Sequence, residues 1–276
     1  MIERAATKPM FRFLRRRRRR ELQAAPFPAE WKQIVQKRLP LFDRLPLEDQ
    51  RELERHIVVF LAEKRFEGCD GLVITDEIRV SIAAQACLLL LHRDTDYYPG
   101  LRSILVYPDA YVAKTTEHVG SGVVSESESA RLGECWSHGA LVLSWDSVRG
   151  GAANIADGQN VVLHEFAHQL DFEDGEADGA PLLGVGDSLA GRRNRYLAWA
   201  KVLRAEYEQL QLETSRGGKT VLDHYGATNP AEFFAVATES FFEKPIQLKR
   251  RHPALFEELK NFYRLDPSQW EWGKPA

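Results

Sequence analysis

Cysteine is scarce in this 276-residue chain, with Cys69, Cys87 and Cys135 making up the whole set. No two of them form a CxxC pair, which argues against a thiolate zinc site, and three is a poor number for a disulfide framework. Long apolar runs are also missing. The longest, Ile82 to Leu91 counting Gln85, has ten residues, about half the roughly 20 needed to cross a bilayer. It reads instead as a buried core helix. The N-terminus is basic but lacks an apolar stretch leading to a small-residue cleavage site, so no secretory signal is expected. A reducing, cytoplasmic setting is the expectation, and a monomer.

Charge of one sign is unevenly spread. Residues 1–20 carry nine basic side chains against one acid, leaving 28 basic and 39 acidic in the remainder, a net of −11. A body of that sign does not predict a nucleic-acid-binding surface. The run Arg15 to Arg20 has the composition to touch anionic lipid or nucleic acid, but a solvated, disordered arm over residues 1–28 is the simpler expectation. The rest, 29–276, is expected as one domain, with a helical N-terminal part (29–95) and a catalytic part (96–276).

The patterning changes along the chain. Leu53, Ile57, Phe60 and Leu61 fall at helical spacing, and Thr75 is placed to cap a buried helix running to about His92. Ser103 to Tyr107 (SILVY) and Ala140 to Trp145 (ALVLSW) are short β-rich runs. The polar stretch Thr115 to Gly133 between them reads as a loop. Helix returns from Gln159 to Asp171, from Tyr196 to the Gly217-Gly218 stop, from Asn229-Pro230, and from about Pro253 to Arg264. The fold class expected is α+β.

Residues 161–171 read VVLHEFAHQLD. His164 and His168 are one turn apart, so both imidazoles leave one helix face, as neutral nitrogen ligands of a divalent zinc must. Glu165 then lies beside the metal, where it can take a proton from the attacking water. The third ligand is less determined. Position 174 is Asp, so the longer pattern with a third histidine is absent. Glu232, in NPAEFFA, is a candidate, but Asn229, Pro230 and Glu232 also fit a capping box. Glu239 lies seven residues further on the same face, either a rival ligand or a group bonding a histidine N–H, and Asp171 is a second candidate for that outer role.

HEFAHQLD followed by DHYGATNPAEFFAVATESFF resembles the Mlc titration factor A family of zinc-dependent peptidases. The similarity extends to ILVYPDAYV, LVLSW and HPALFEELKNFYRLDP, and so covers most of residues 30–270. The same two motifs resemble the catalytic domain of anthrax lethal factor, a glutamate-type zincin. The resemblance implies a zincin-like fold, one Zn²⁺ per chain on His164, His168 and Glu232, and a role for Tyr225 in hydrogen-bonding the oxyanion. It also implies aminopeptidase-type activity on small synthetic substrates, with a peptide as the natural substrate, and binding of the glucose-responsive repressor Mlc. It assigns nothing to His224, which reads as structural, and does not require the arginine run. The segment Leu141 to Ser144 is expected to pair with extended substrate backbone, and the segments 115–133 and 174–191 to set exo- against endo-cleavage.

Overall fold

Four strands form the main sheet, in the order β1 (Arg65–Gly68), β2 (Ser103–Tyr107), β6 (Ala140–Ser144) and β5 (Gly133–Trp136). The first three run parallel and β5 closes one edge antiparallel. This is a computed structural model, and it describes residues 9–109, 112–119, 123–130, 133–136, 139–183 and 189–272. Parallel neighbours need a crossover, and between β1 and β2 a helix supplies it. Helix α4 (Asp76–Leu88) lies between β1 and β2 in sequence. The Thr75 side chain accepts from the Ile78 N–H at its start. Val80, Ile82, Ala83, Ala84 and Ala86 are fully buried, so α4 is the core helix that its apolar run predicts.

The other elements surround this frame. On the N-terminal side are α1 (Pro9–Ala24), α2 (Ala29–Arg38) and α3 (Leu47–Glu63). After β6 come α5 (Trp145–Ala153), α6 (Val161–Asp171), α7 (Leu189–Ser215), α8 (Pro230–Glu243), α9 (Pro245–Arg251) and α10 (Pro253–Tyr263). Helix α6 packs against α4, α5, α8 and strands β5 and β6. Its Phe166 ring meets Tyr98 at 4.8 Å and Phe60 at 5.7 Å. All three rings are fully buried, and truncating such an aromatic costs about 3–5 kcal/mol. The helix that carries the histidine pair is therefore held in place from behind. No described helix is long and apolar enough to cross a membrane.

Three expectations change. The basic arm is helical from Pro9 to Ala24, because Arg19 forms a two-pronged ion pair with Glu63 at 2.7 Å and reaches Asp96 at 2.8 Å. The stretch read as a loop contains a hairpin, β3 (Val112–Val119) paired with β4 (Val123–Ala130). It forms a two-stranded sheet of its own. Strand β6 bonds β2 on one side and β5 on the other, so Leu141 to Leu143 offer no free edge to a substrate.

Candidate metal centre

Asn160 starts α6. Its Oδ1 accepts from the Val162 and Leu163 N–H groups at 3.1 and 3.0 Å. Four-residue spacing then sets the His164 and His168 rings side by side, 4.8 Å between centroids, with their Nε2 atoms 3.2 Å apart. The opposite face, with Val162, Leu163, Phe166 and Ala167, is fully buried.

Helix α8 brings the carboxylates. Asn229 Oδ1 accepts from the Glu232 N–H at 3.0 Å and Pro230 occupies the first turn, so the cap forms as the sequence suggests. The Glu232 side chain is free to point elsewhere. Its Oε2 lies 2.9 Å from His164 Nε2 and 3.3 Å from His168 Nε2. Cap and candidate ligand are thus the backbone and side chain of one residue. Glu239, two turns on, stands behind His164, with Oε1 2.8 Å from Nδ1, and its Oε2 accepts from the Asn160 N–H. One further turn along, Glu243 Oε1 accepts from Asn160 Nδ2 at 3.1 Å.

The remaining candidates fall into place around this cluster. Glu165 is buried, and burial pushes its carboxyl above the usual range. Tyr225 sits on a short 3₁₀ turn, His224–Ala227, started by Asp223 accepting from its N–H at 2.8 Å. Its ring lies 5.9 Å from that of His164, and its side chain is half open to solvent. His224 turns away, its Nδ1 2.8 Å from Thr214 Oγ1. Asp171 does not bond either imidazole. Its Oδ2 accepts from the Gly179 N–H at 2.8 Å, so it holds the loop after α6. Asn160 and Glu243 escaped the sequence reading. Asn160 carried a signal, an N-cap residue directly before an apolar run. Glu243 continues the stripe of Glu232 and Glu239 on α8.

The donor set suits a cation. A neutral His164 whose Nδ1–H donates a hydrogen bond to Glu239 presents a lone pair at Nε2. That lone pair, His168 Nε2 and Glu232 Oε2 are three electron-rich atoms within 3.3 Å of each other. Burial alone would keep His164 uncharged, yet Glu232 and Glu239 outweigh it and carry its pKa up to about 10. Burial likewise opposes a charged Glu232, but the two imidazoles hold it far below the ordinary carboxylate range. Two imidazoles with one carboxylate match zinc's preferences. A second group among the described residues, Asp49, Glu52 and His92, is knit by its own hydrogen bonds, with His92 Nε2 2.9 Å from Asp49 Oδ1 and the His92 N–H donating to Glu52.

Comparison with known proteins agrees with this chemistry. A protein of Synechocystis sp. (strain ATCC 27184 / PCC 6803 / Kazusa), described as uncharacterized, is 43% identical over 251 residues, covering 91% of this chain and 89% of its own length. Proteins called Mlc titration factor A from Klebsiella pneumoniae (strain 342) and Serratia proteamaculans (strain 568) are 32% and 33% identical, covering 87% of this chain and 87% and 88% of theirs. Residues 13–264 match the family described as glucose-regulated metallo-peptidase M90. With that match over nearly the whole length, the chain belongs to the M90 family of metallopeptidases.

Proposed function

We propose that this chain is a zincin-like, zinc-dependent peptidase of the glutamate type, with one zinc held by His164, His168 and Glu232. The observation that carries the reading is the division of labour on α8: Glu232 faces the two Nε2 atoms while Glu239 occupies the far side of His164. A divalent zinc there supplies Lewis acidity, which acidifies water and polarises a carbonyl. Glu165, buried beside the cluster, accepts the proton of the attacking water and delivers it to the leaving amine. Its raised pKa suits both transfers. Tyr225, at the exposed rim, donates its hydroxyl proton in a hydrogen bond to the developing oxyanion. Among the described residues strand β5 is at the sheet edge and it packs against α6, so its side away from β6 is the place where extended peptide backbone would align. Aminopeptidase-type cleavage in the cytoplasm, by a monomer with Cys69 and Cys87 as thiols, completes the reading.

Metal analysis combined with hydrolysis of a panel of aminoacyl anilides, with and without a chelator, tests it. Glu165→Gln is expected to keep its metal and lose about 10²–10⁴ in turnover. Glu232→Ala is expected to lose the metal itself. Full turnover by Glu165→Gln would remove the base from the mechanism. A second reading has the name of the relatives behind it: the chain sequesters an Mlc-like repressor. Glu165→Gln separates the two, since sequestration survives that change and proteolysis does not.

A further inference from the structure

We propose that the outward face of α1 is a docking surface for anionic phospholipid bilayers. The helix presents two unlike sides. On the inner side, Arg19 pairs with Glu63 and Asp96 and lies over the Tyr97 ring at 4.5 Å, and Arg15 reaches the same Asp96. These two arginines, four residues apart, fasten the helix to α3 and the loop before β2. They also fix which residues must point away. Phe13, Arg16, Arg17 and Arg20 follow at i, i+3, i+4 and i+7, a continuous outer stripe, and Leu14 and Arg18 lie next to it.

All six of these side chains are exposed. Among the described residues Arg17 pairs with the surface residue Glu21 at 2.9 Å, and such pairs contribute little. The arginines give the stripe a strong positive charge, while the chain beyond residue 20 carries a net of −11. Attraction to an anionic surface is thus concentrated on one rigid helix and orients the molecule. Arginines alone would serve any polyanion. Phe13, 61% exposed, and Leu14, 52% exposed, separate the choices. A large ring and an aliphatic chain among cations gain by entering the boundary between lipid headgroups and acyl chains, and basic helices that lie on membranes have this composition. Phosphates of a nucleic acid offer Leu14 nothing comparable.

The test is co-sedimentation of the full chain with vesicles of phosphatidylcholine alone or mixed with phosphatidylglycerol, at low and physiological ionic strength. Binding to the mixed vesicles only is expected, falling as salt rises. Each arginine near such a surface contributes roughly fivefold (about 1 kcal/mol), so changing Arg16, Arg17, Arg18 and Arg20 together to Gln is expected to lower partitioning by on the order of a hundredfold or more. Arg15 and Arg19 stay, so the helix remains docked, which an unchanged melting temperature verifies. Phe13→Ser with Leu14→Ser is expected to weaken binding several-fold and to leave a remainder that salt abolishes. The idea fails if the unaltered chain ignores the mixed vesicles. It fails equally if the arginine variant binds them undiminished, or if the serine variant binds them as before while the chain prefers a duplex oligonucleotide.

Discussion

His164 is held from both ends, by Glu239 Oε1 at Nδ1 and Glu232 Oε2 at Nε2, 2.8 and 2.9 Å away. The far-side carboxylate fixes the tautomer and makes the near-side nitrogen a better donor to a metal. Glu239→Gln keeps an oxygen acceptor but loses the charge. It is expected to weaken metal binding by about 10–100-fold, read by competition with a chromophoric chelator, with little change in fold. Unchanged affinity would make Glu239 a packing residue only. Tyr225→Phe removes one hydroxyl from an exposed ring, so metal content and stability should not move. Turnover should fall by roughly 10²–10³ with KM nearly constant, as for loss of a single oxyanion donor. At this scale the sequence was informative about His164, Glu165 and His168, because their spacing and chemistry are both local. It left Glu232 suspended between cap and ligand, since both uses are compatible with one residue whose N–H faces Asn229 and whose carboxylate faces the imidazoles.

Helices α6 and α8 are a pair whose register decides whether the site exists, and one glycine outside both helps set it. Gly179 has φ of +79°, its N–H is held by Asp171, and its carbonyl accepts from Trp199 Nε1 at 2.9 Å. A Cβ there would stand 2.5 Å from the Pro230 carbonyl oxygen, in the first turn of α8. Gly179→Ala must therefore strain the loop or push back the end of α8 that carries Glu232. Lower metal affinity together with a lower melting temperature is expected. A variant with a lower melting temperature but wild-type metal affinity would uncouple the loop from the site. None of this was legible in a Gly- and Asp-rich segment, where composition predicts a loop and not what the loop leans on. Helix α9, seven residues long, and β1, four residues long, escaped for a different reason: each is too short to show a period. The α4 helix was legible because Thr75 stands as a cap before a long apolar run, and α6 because its histidines and its apolar residues fall on opposite faces at helical spacing.

Over the whole molecule, α+β order and the helical C-terminal half could be read from periodicity. The docking of α1 could not, because six consecutive arginines look like a solvated arm until Glu63 and Asp96 are seen opposite two of them. Long-range pairing also explains an unusual feature of the acidic body, a set of carboxyls buried between α6 and α8. Glu243 is the one whose consequence for global stability is simplest to isolate. Burial, with Glu239 and Asp157 nearby, outweighs the hydrogen bonds from Asn160 and the Gly158 N–H and pushes its pKa from an ordinary 4.5 to about 8. Among the described residues its second oxygen, Oε2, is buried without a hydrogen-bond partner. Between those two pH values the folded chain keeps a proton that the unfolded chain releases, so stability falls as pH rises through the window. The penalty is on the order of 3 kcal/mol at pH 7. Glu243→Gln cannot ionise, and its amide oxygen can still accept from Asn160 Nδ2. Its stability, from denaturant melts at pH 5 to 8, is expected to decline less with pH than that of the unaltered chain and to exceed it at pH 8. Parallel curves for the two proteins would mean that Glu243 is already ionised in the folded state, stabilised by partners other than Asn160 and the Gly158 N–H.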